Sequence, residues 1–312
     1  MARSDVRSLN GKVVAITGGA RGIGLATARA CAARGMKVAI GDLDLAEAER
    51  AAESIPGAVA IQLDVCERDS FERFLDAADA AHGPVDVLVN NAGIMQLGPF
   101  ADEDDLTARR MVDINVHGVL HGMKLALARF AARGTGHLVN IASTAGKAGI
   151  PGGATYSGTK HFVVGVSEAV RAELRDTGIE VSVVMPAVVD TELAQGLQQS
   201  RGVRKVQPEE VAAEIVSALE RPRFDVWVPR SVGPINLVVG ALPRRAREAV
   251  GRAIGIDRVL ASADSEARRA YELRAARSEP GLEPGNEARQ LPRADADREP
   301  AERSHPRAGG QP

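Results

Sequence analysis

The sequence predicts an α/β protein: one seven-stranded parallel sheet, doubly wound, with helices on both faces. Two observations predict it. Short β-branched apolar runs recur along the chain without polar alternation, as strands buried on both faces require. Amphipathic segments of helical length separate them, which gives βαβ units joined by right-handed crossovers.

In chain order, KVVAIT at 12–17 opens the sheet and leads into a helix over 22–34. KVAIGD at 37–42 and AVAIQLD at 58–64 follow, and a helix over 70–81 precedes VDVLVN at 85–90. A long helix over 106–133 connects to HLVNIAS at 137–143, and IEVSVVMP at 179–186 and FDVWVP at 224–229 complete seven strands. In such a sheet the ligand crevice lies outside the carboxyl ends of the strands, at the point where strand order reverses.

After residue 230 the character changes. We read residues 10–230 as the catalytic domain, 231–277 as a helical extension and 278–312 as a disordered tail. The extension holds an apolar PINLVVGAL and then RRAREAVGRAIGIDRVL, where five arginines face one Glu and one Asp. Its stretch 231–260 is expected mainly to cover the substrate crevice; a subunit contact and weak binding to an anionic membrane surface are the other uses such a segment has. The tail holds six of the sixteen prolines and no aromatic residue, too little apolar surface to fold.

Composition narrows the partners. The chain is 45% hydrophobic and 26% charged with a formal net charge of −2, which fits an ordinary globular protein and argues against nucleic acid as a partner. The N-terminal stretch has no apolar signal-peptide core, no run reaches the ~18 apolar residues of a membrane span, and Cys31 and Cys66 have no metal or redox spacing. A cytoplasmic location with reduced thiols is the expectation.

Three stretches suggest chemistry. TGGARGIG at 17–24 sits between a buried strand and a helix; Gly18, Gly22 and Gly24 let the backbone turn tightly and present helix N-terminal amides to a pyrophosphate. Asp42 ends the second strand about twenty residues further on, where a carboxylate accepts bonds from ribose hydroxyls and repels a 2′-phosphate. NAD is therefore favoured over NADP, although Arg21 pulls the other way, and Asp42 and Asp44 could instead cap the next helix. Asp64 and Val65 end the third strand and suit the adenine edge by the same logic. Tyr156 and Lys160 lie one helical turn apart, so an ammonium can lower the pKa of a phenol that is otherwise a poor base at neutral pH. Asn115 falls in mid-helix, where a low-propensity polar residue calls for a polar partner. His117 and His121 share a face but lack a third ligand, so no metal is expected.

TGGARGIG after the first strand, NNAG at 90–93 after the fourth, Ser143 after the fifth and YSGTK at 156–160 together resemble the short-chain dehydrogenases/reductases, over roughly residues 10–230. The resemblance implies a Rossmann-type fold and a homo-oligomer, dimer or tetramer. It implies Tyr156 as general acid/base, Lys160 as the group that lowers its pKa and holds the nicotinamide ribose, Ser143 as the orienter of the substrate oxygen and Asn115 as part of a proton relay. It further places Gly18, Arg21, Gly22, Ile23, Gly24, Asp42, Asp64, Val65, Asn91, Ala92, Gly93, Tyr156, Lys160, Pro186, Val189 and Thr191 around the cofactor, and Ser143, Tyr156, Met95 and Val188 around the substrate. One departure is Pro186-Ala187, where the family usually has Pro-Gly. The expected pocket wall of Ile94, Met95, Leu97, Ile150, Pro151, Val188, Leu193 and Leu197 is apolar, which suggests a hydrophobic secondary alcohol or ketone of lipid, steroid or retinoid type. Rival readings are a non-catalytic nucleotide-binding regulator and a membrane-surface lipid alcohol dehydrogenase.

Overall fold

The computed structural model describes residues 6–197 and 205–254, with residues 260, 268, 271 and 275. All seven expected strands form: β1 (Val13–Thr17), β2 (Lys37–Asp42), β3 (Val59–Gln62), β4 (Val87–Asn90), β5 (Gly136–Ile141), β6 (Ile179–Pro186) and β7 (Asp225–Val228). They make one parallel sheet in the order β3-β2-β1-β4-β5-β6-β7. Strand order reverses between β1 and β4, so the crevice opens above their carboxyl ends, where the glycine loop and the NNAG stretch emerge.

The continuous apolar runs are explained by burial on both faces. Successive residues of a strand point to opposite sides, so Val14 and Ile16 pack under α1 (Gly22–Ala32), α2 (Leu45–Glu53) and α7 (Pro208–Glu220), while Val13 and Ala15 join Phe71, Phe74 and Phe130 on the other side. That second side is covered by α3 (Arg68–His82), α5 (Val119–Arg133) and α6 (Ala154–Glu173). Cys31 is buried and free, and burial pushes its thiol up to about 12.

The long helix expected over 106–133 forms with a π-helical turn inside it. It runs as α4 (Asp105–Val112), the π turn (Asp113–Gly118) and α5, so the weak helix former Asn115 sits where the ordinary i→i−4 ladder is replaced.

Helices α8 (Val232–Gly240) and α9 (Arg244–Ile254) leave Ile235, Leu237 and Val238 exposed, and α8 touches the sheet where Gly233 meets Trp227 on β7. Neither supplies a side chain to the apolar cluster around Tyr156. Among the described residues of 231–260, Leu260 reaches that cluster. The tail from residue 278 lies outside the described residues. Among them, no helix is long and apolar enough to cross a membrane.

A buried amide chain ties α6 to the sheet: Asn90 Nδ2 donates to Asn140 Oδ1 at 2.8 Å and Asn140 Nδ2 to Ser167 Oγ at 2.9 Å. Gly122 on α5 lies directly over it, where a Cβ would collide with Asn90 Oδ1 and come within 2.7 Å of Phe71. Gly122→Ala should therefore cost about 1–3 kcal/mol of stability by urea unfolding. An unchanged midpoint would mean that the helix shifts without strain.

Candidate active site

The glycine loop is shaped by what a side chain would strike. Gly18 and Gly22 hold φ of 61° and 52°, and a Cβ on Gly18 would lie 2.9 Å from Ala92 Cα. One on Gly24 would meet Gly18 O and, at 2.7 Å, Asn91 Nδ2. The N-terminus of α1 has no side-chain cap, so its first amides remain open to an anion. Ile23 packs against the core, and its carbonyl accepts from Thr27 Oγ1 at 2.7 Å.

Thr17 and Asn91 lock this loop to the end of β4. Thr17 Oγ1 accepts from the amides of Asn91 and Ala92, each at 3.0 Å, and Asn91 Nδ2 donates to the carbonyls of Thr17 and Gly18, each at 2.9 Å. Asn91 Nδ2 is thus committed to holding the loop.

At the end of β2 the two aspartates separate. Asp44 caps α2 by accepting from Glu47 N at 3.1 Å. Asp42 does not cap it; its carboxylate accepts from Ala20 N at 3.1 Å and Asp44 N at 3.2 Å, and burial raises its pKa against those bonds. Arg21 is paired with Asp44 at 3.0 Å and Glu47 at 3.3 Å. A guanidinium so engaged has less to offer a 2′-phosphate. Asp64 accepts from Cys66 N at 2.9 Å, and the buried Val65 has its carbonyl 3.1 Å from His121 Nδ1. His117 is exposed, and no metal-binding cluster of three or more His, Cys, Asp or Glu forms among the described residues.

Helix α6 brings Tyr156 and Lys160 together. Lys160 Nζ sits 5.7 Å from the centre of the Tyr156 ring and donates to Ile141 O at the end of β5, at 2.9 Å. Both side chains are buried, and the burial works in opposite senses: it pushes Tyr156 up to about 12, partly offset by a hydrogen bond with Ser143, and Lys160 down to about 8. Ser143 Oγ also accepts from Ala145 N at 3.1 Å and lies 3.5 Å from Pro186 O. Gly93 completes the group, since a Cβ there would lie 3.6 Å from Lys160 Nζ and 3.1 Å from Asn115 Oδ1.

Asn115 is placed at the site as expected, but its side chain is already used. Its Oδ1 accepts from Ile94 N at 2.9 Å, while Nδ2 donates to Ile94 O at 2.9 Å and Thr159 Oγ1 at 3.1 Å. The amide pins the loop after β4 to α6.

The apolar wall forms largely as expected. Met95 and Leu197 are buried with Tyr156, and Ile94, Leu97, Ile150, Val188 and Leu193 pack against that cluster; Pro151 is exposed and stands outside it. Val189 bridges Val206, and Thr191 approaches Gly22, where a Cβ would lie 3.2 Å from Thr191 Cγ2. Ala187, in place of the expected glycine, donates to Val228 O at 2.8 Å. Three residues of the site were missed in the sequence. Leu260 lies in the cluster, and Arg268 and Tyr271 bind the backbone around Met95. The one available signal was Tyr271, the second of only two tyrosines in the chain.

The profile of the family described as short chain dehydrogenase matches residues 12–202. Galactitol 2-dehydrogenase of Agrobacterium fabrum is 38% identical over 186 residues, 59% of this chain and 73% of that protein. Glycine betaine reductase of Emericella nidulans is 35% identical over 69% of this chain, which spans 18% of that protein's length. The crystal structure of a short chain dehydrogenase/reductase from Burkholderia phymatum in complex with NAD superposes with a TM-score of 0.69 at 25% identity, covering 75% of this chain and 94% of that one.

The depressed Lys160 predicts a pH signature. Its folded value of about 8 lies below the unfolded ~10.4, so between them the unfolded chain binds the extra proton and stability rises with pH. Below about 8 the buried charge carries its full penalty. Between pH 7 and 10.5 the stability difference between wild type and Lys160→Met should move toward wild type by roughly 3 kcal/mol. A difference independent of pH in urea titrations would show that Lys160 does not titrate in this window.

Proposed function

The chain belongs to the short-chain dehydrogenase/reductase family, and from that premise we propose that it is an NAD-dependent oxidoreductase interconverting an apolar secondary alcohol and its ketone. The observation that carries this reading is the buried convergence of Tyr156, Lys160 and Ser143 beside an apolar wall.

The residues fit the cofactor. The glycine loop is a cradle that Cβ atoms would fill, and the uncapped start of α1 suits a pyrophosphate. Asp42 at the end of β2 and the engagement of Arg21 with Asp44 and Glu47 support NAD over NADP, as does the NAD complex of the similar Burkholderia phymatum protein. When bound, NAD supplies the hydride acceptor for oxidation, and its reduced form supplies the donor for reduction.

The chain's part is proton transfer and placement. Ser143 Oγ, whose interaction with the Tyr156 hydroxyl favours the phenolate, orients the substrate oxygen toward it. In oxidation the Tyr156 phenolate removes the hydroxyl proton as the C–H bond gives up its hydride; in reduction the phenol returns that proton to the carbonyl oxygen. Alone, the buried phenol holds its proton too tightly for this work, so positive charge must favour the phenolate. Lys160 provides one such charge while it holds its proton, below about pH 8, and the oxidised nicotinamide would provide another. The methionines, leucines and isoleucines of the wall favour a substrate whose bulk is hydrocarbon and exclude water from the transfer.

Tyr156→Phe should lower kcat by about 10²-fold or more while leaving the NADH dissociation constant within about twofold. Retention of a tenth of wild-type kcat would remove Tyr156 from the proton-transfer role. Asp42→Arg should shift kcat/KM toward NADP, read with both cofactors on a panel of apolar alcohols and ketones. A wild-type preference for NADP would contradict the role given to Asp42.

A further inference from the structure

Arg268 is the largest fully buried side chain among the described residues, 1% exposed. A guanidinium in an apolar interior is costly unless its donors are answered. Here Nη1 donates to Leu193 O and Gln195 O, both at 2.9 Å, and Nη2 to Met95 O at 2.8 Å. Those carbonyls belong to two separate loops, one after β4 and one after β6. The planar fork of an arginine suits such a bridge better than a lysine's point charge does.

Tyr271 completes the grip. Its hydroxyl accepts from Met95 N at 2.9 Å, and the Arg268 guanidinium lies 5.3 Å from its ring centre. Both main-chain groups of Met95 are thereby held by one pair of side chains, and Met95 is buried in the same apolar cluster as Tyr156. Arg268, Tyr271 and Ala275 are helical and spaced i, i+3, i+7, which puts them on one face. Leu260 extends the contact: it is 5% exposed, and a Cβ on Gly153, the residue before α6, would lie 2.6 Å from its Cδ1 and 3.4 Å from Leu97 Cδ2.

We propose that these C-terminal residues form the outer wall of the substrate site. Leu260 limits substrate size, and Arg268 and Tyr271 are positioning residues that fix Met95 and the Leu193–Gln195 stretch around the reacting alcohol. The assignment of a substrate rests on the dehydrogenase reading above; the loop clasp itself does not. Hydrocarbon side chains on irregular loops make a selective wall only when the backbone carrying them is fixed, and main-chain carbonyls are what Arg268 holds.

The test uses the full chain with Tyr271→Phe, Arg268→Lys and Leu260→Ala, and a homologous series of 2-alkanones reduced with NADH. Tyr271→Phe should raise KM about three- to tenfold, with kcat and NADH affinity within about twofold, as the loss of one positioning hydrogen bond predicts. Arg268→Lys should behave alike, because an ammonium reaches fewer of the three carbonyls. Leu260→Ala should shift the ratio of kcat/KM for long over short ketones upward by about tenfold. Equal losses across the series with parallel weakening of NADH binding would reduce the segment to a fold staple and overturn the proposal. Hydrogen exchange at the Met95 amide needs no substrate and should speed up about three- to tenfold in Tyr271→Phe. Unaltered exchange overturns the clasp even if turnover is normal. Accelerated exchange in a protein that reduces no ketone would instead keep the clasp and overturn the dehydrogenase reading.

Discussion

The site depends on burying an ammonium next to a phenol. Lys160 is held in the interior by the Ile141 carbonyl, and burial weakens its hold on its proton. Such a group survives only where the surrounding backbone is placed closely enough to solvate it. Two glycines bring other backbone close to this pair: a Cβ on Gly146 would lie 2.7 Å from the Lys160 carbonyl oxygen, and one on Gly93 would crowd Asn115 Oδ1 at 3.1 Å. Helix α6 therefore seats one turn of polar chemistry in an otherwise apolar layer, with Val163 and Val164 of the next turn fully packed.

The same economy governs the crevice above it. The loops after β1 and β4 meet at the reversal of strand order, and Thr17 with Asn91 joins them through four hydrogen bonds. Asn115 does likewise for the loop after β4 and α6, and Arg268 for the loops after β4 and β6. Polar side chains around the crevice largely tie irregular backbone together, and Asp42, Ser143 and Lys160 also bond main-chain groups beside the glycine loop and Tyr156.

Much of this was legible in the sequence. The seven strands could be read because a parallel sheet buried on both faces needs continuous apolar runs, and VVAIT or VLVN satisfies no other element of that length. Helical spacing put Tyr156 and Lys160 on one face, and the glycine loop, the NNAG stretch and Ser143 at other strand ends singled the pair out. Other features depended on contacts with main-chain atoms, which leave no trace in residue identity. The carbonyls that hold Arg268 lie as far as 173 positions away in sequence, and the carbonyls that occupy the Asn91 side chain are those of Thr17 and Gly18, at the end of the neighbouring strand. PINLVVGAL was legible as an apolar segment, but composition says nothing of which surface it meets, and Leu237 stands 78% exposed in α8.

The central claim is that positive charge beside Tyr156 overcomes the cost of burying its phenolate. An ultraviolet difference titration of phenolate, in a Tyr271→Phe background so that Tyr156 is the only tyrosine, measures this directly. The free protein should ionise near the value of about 12 that burial imposes, and saturation with oxidised NAD should lower the midpoint by about 2 units or more. A midpoint that is the same with and without the cofactor would contradict the account.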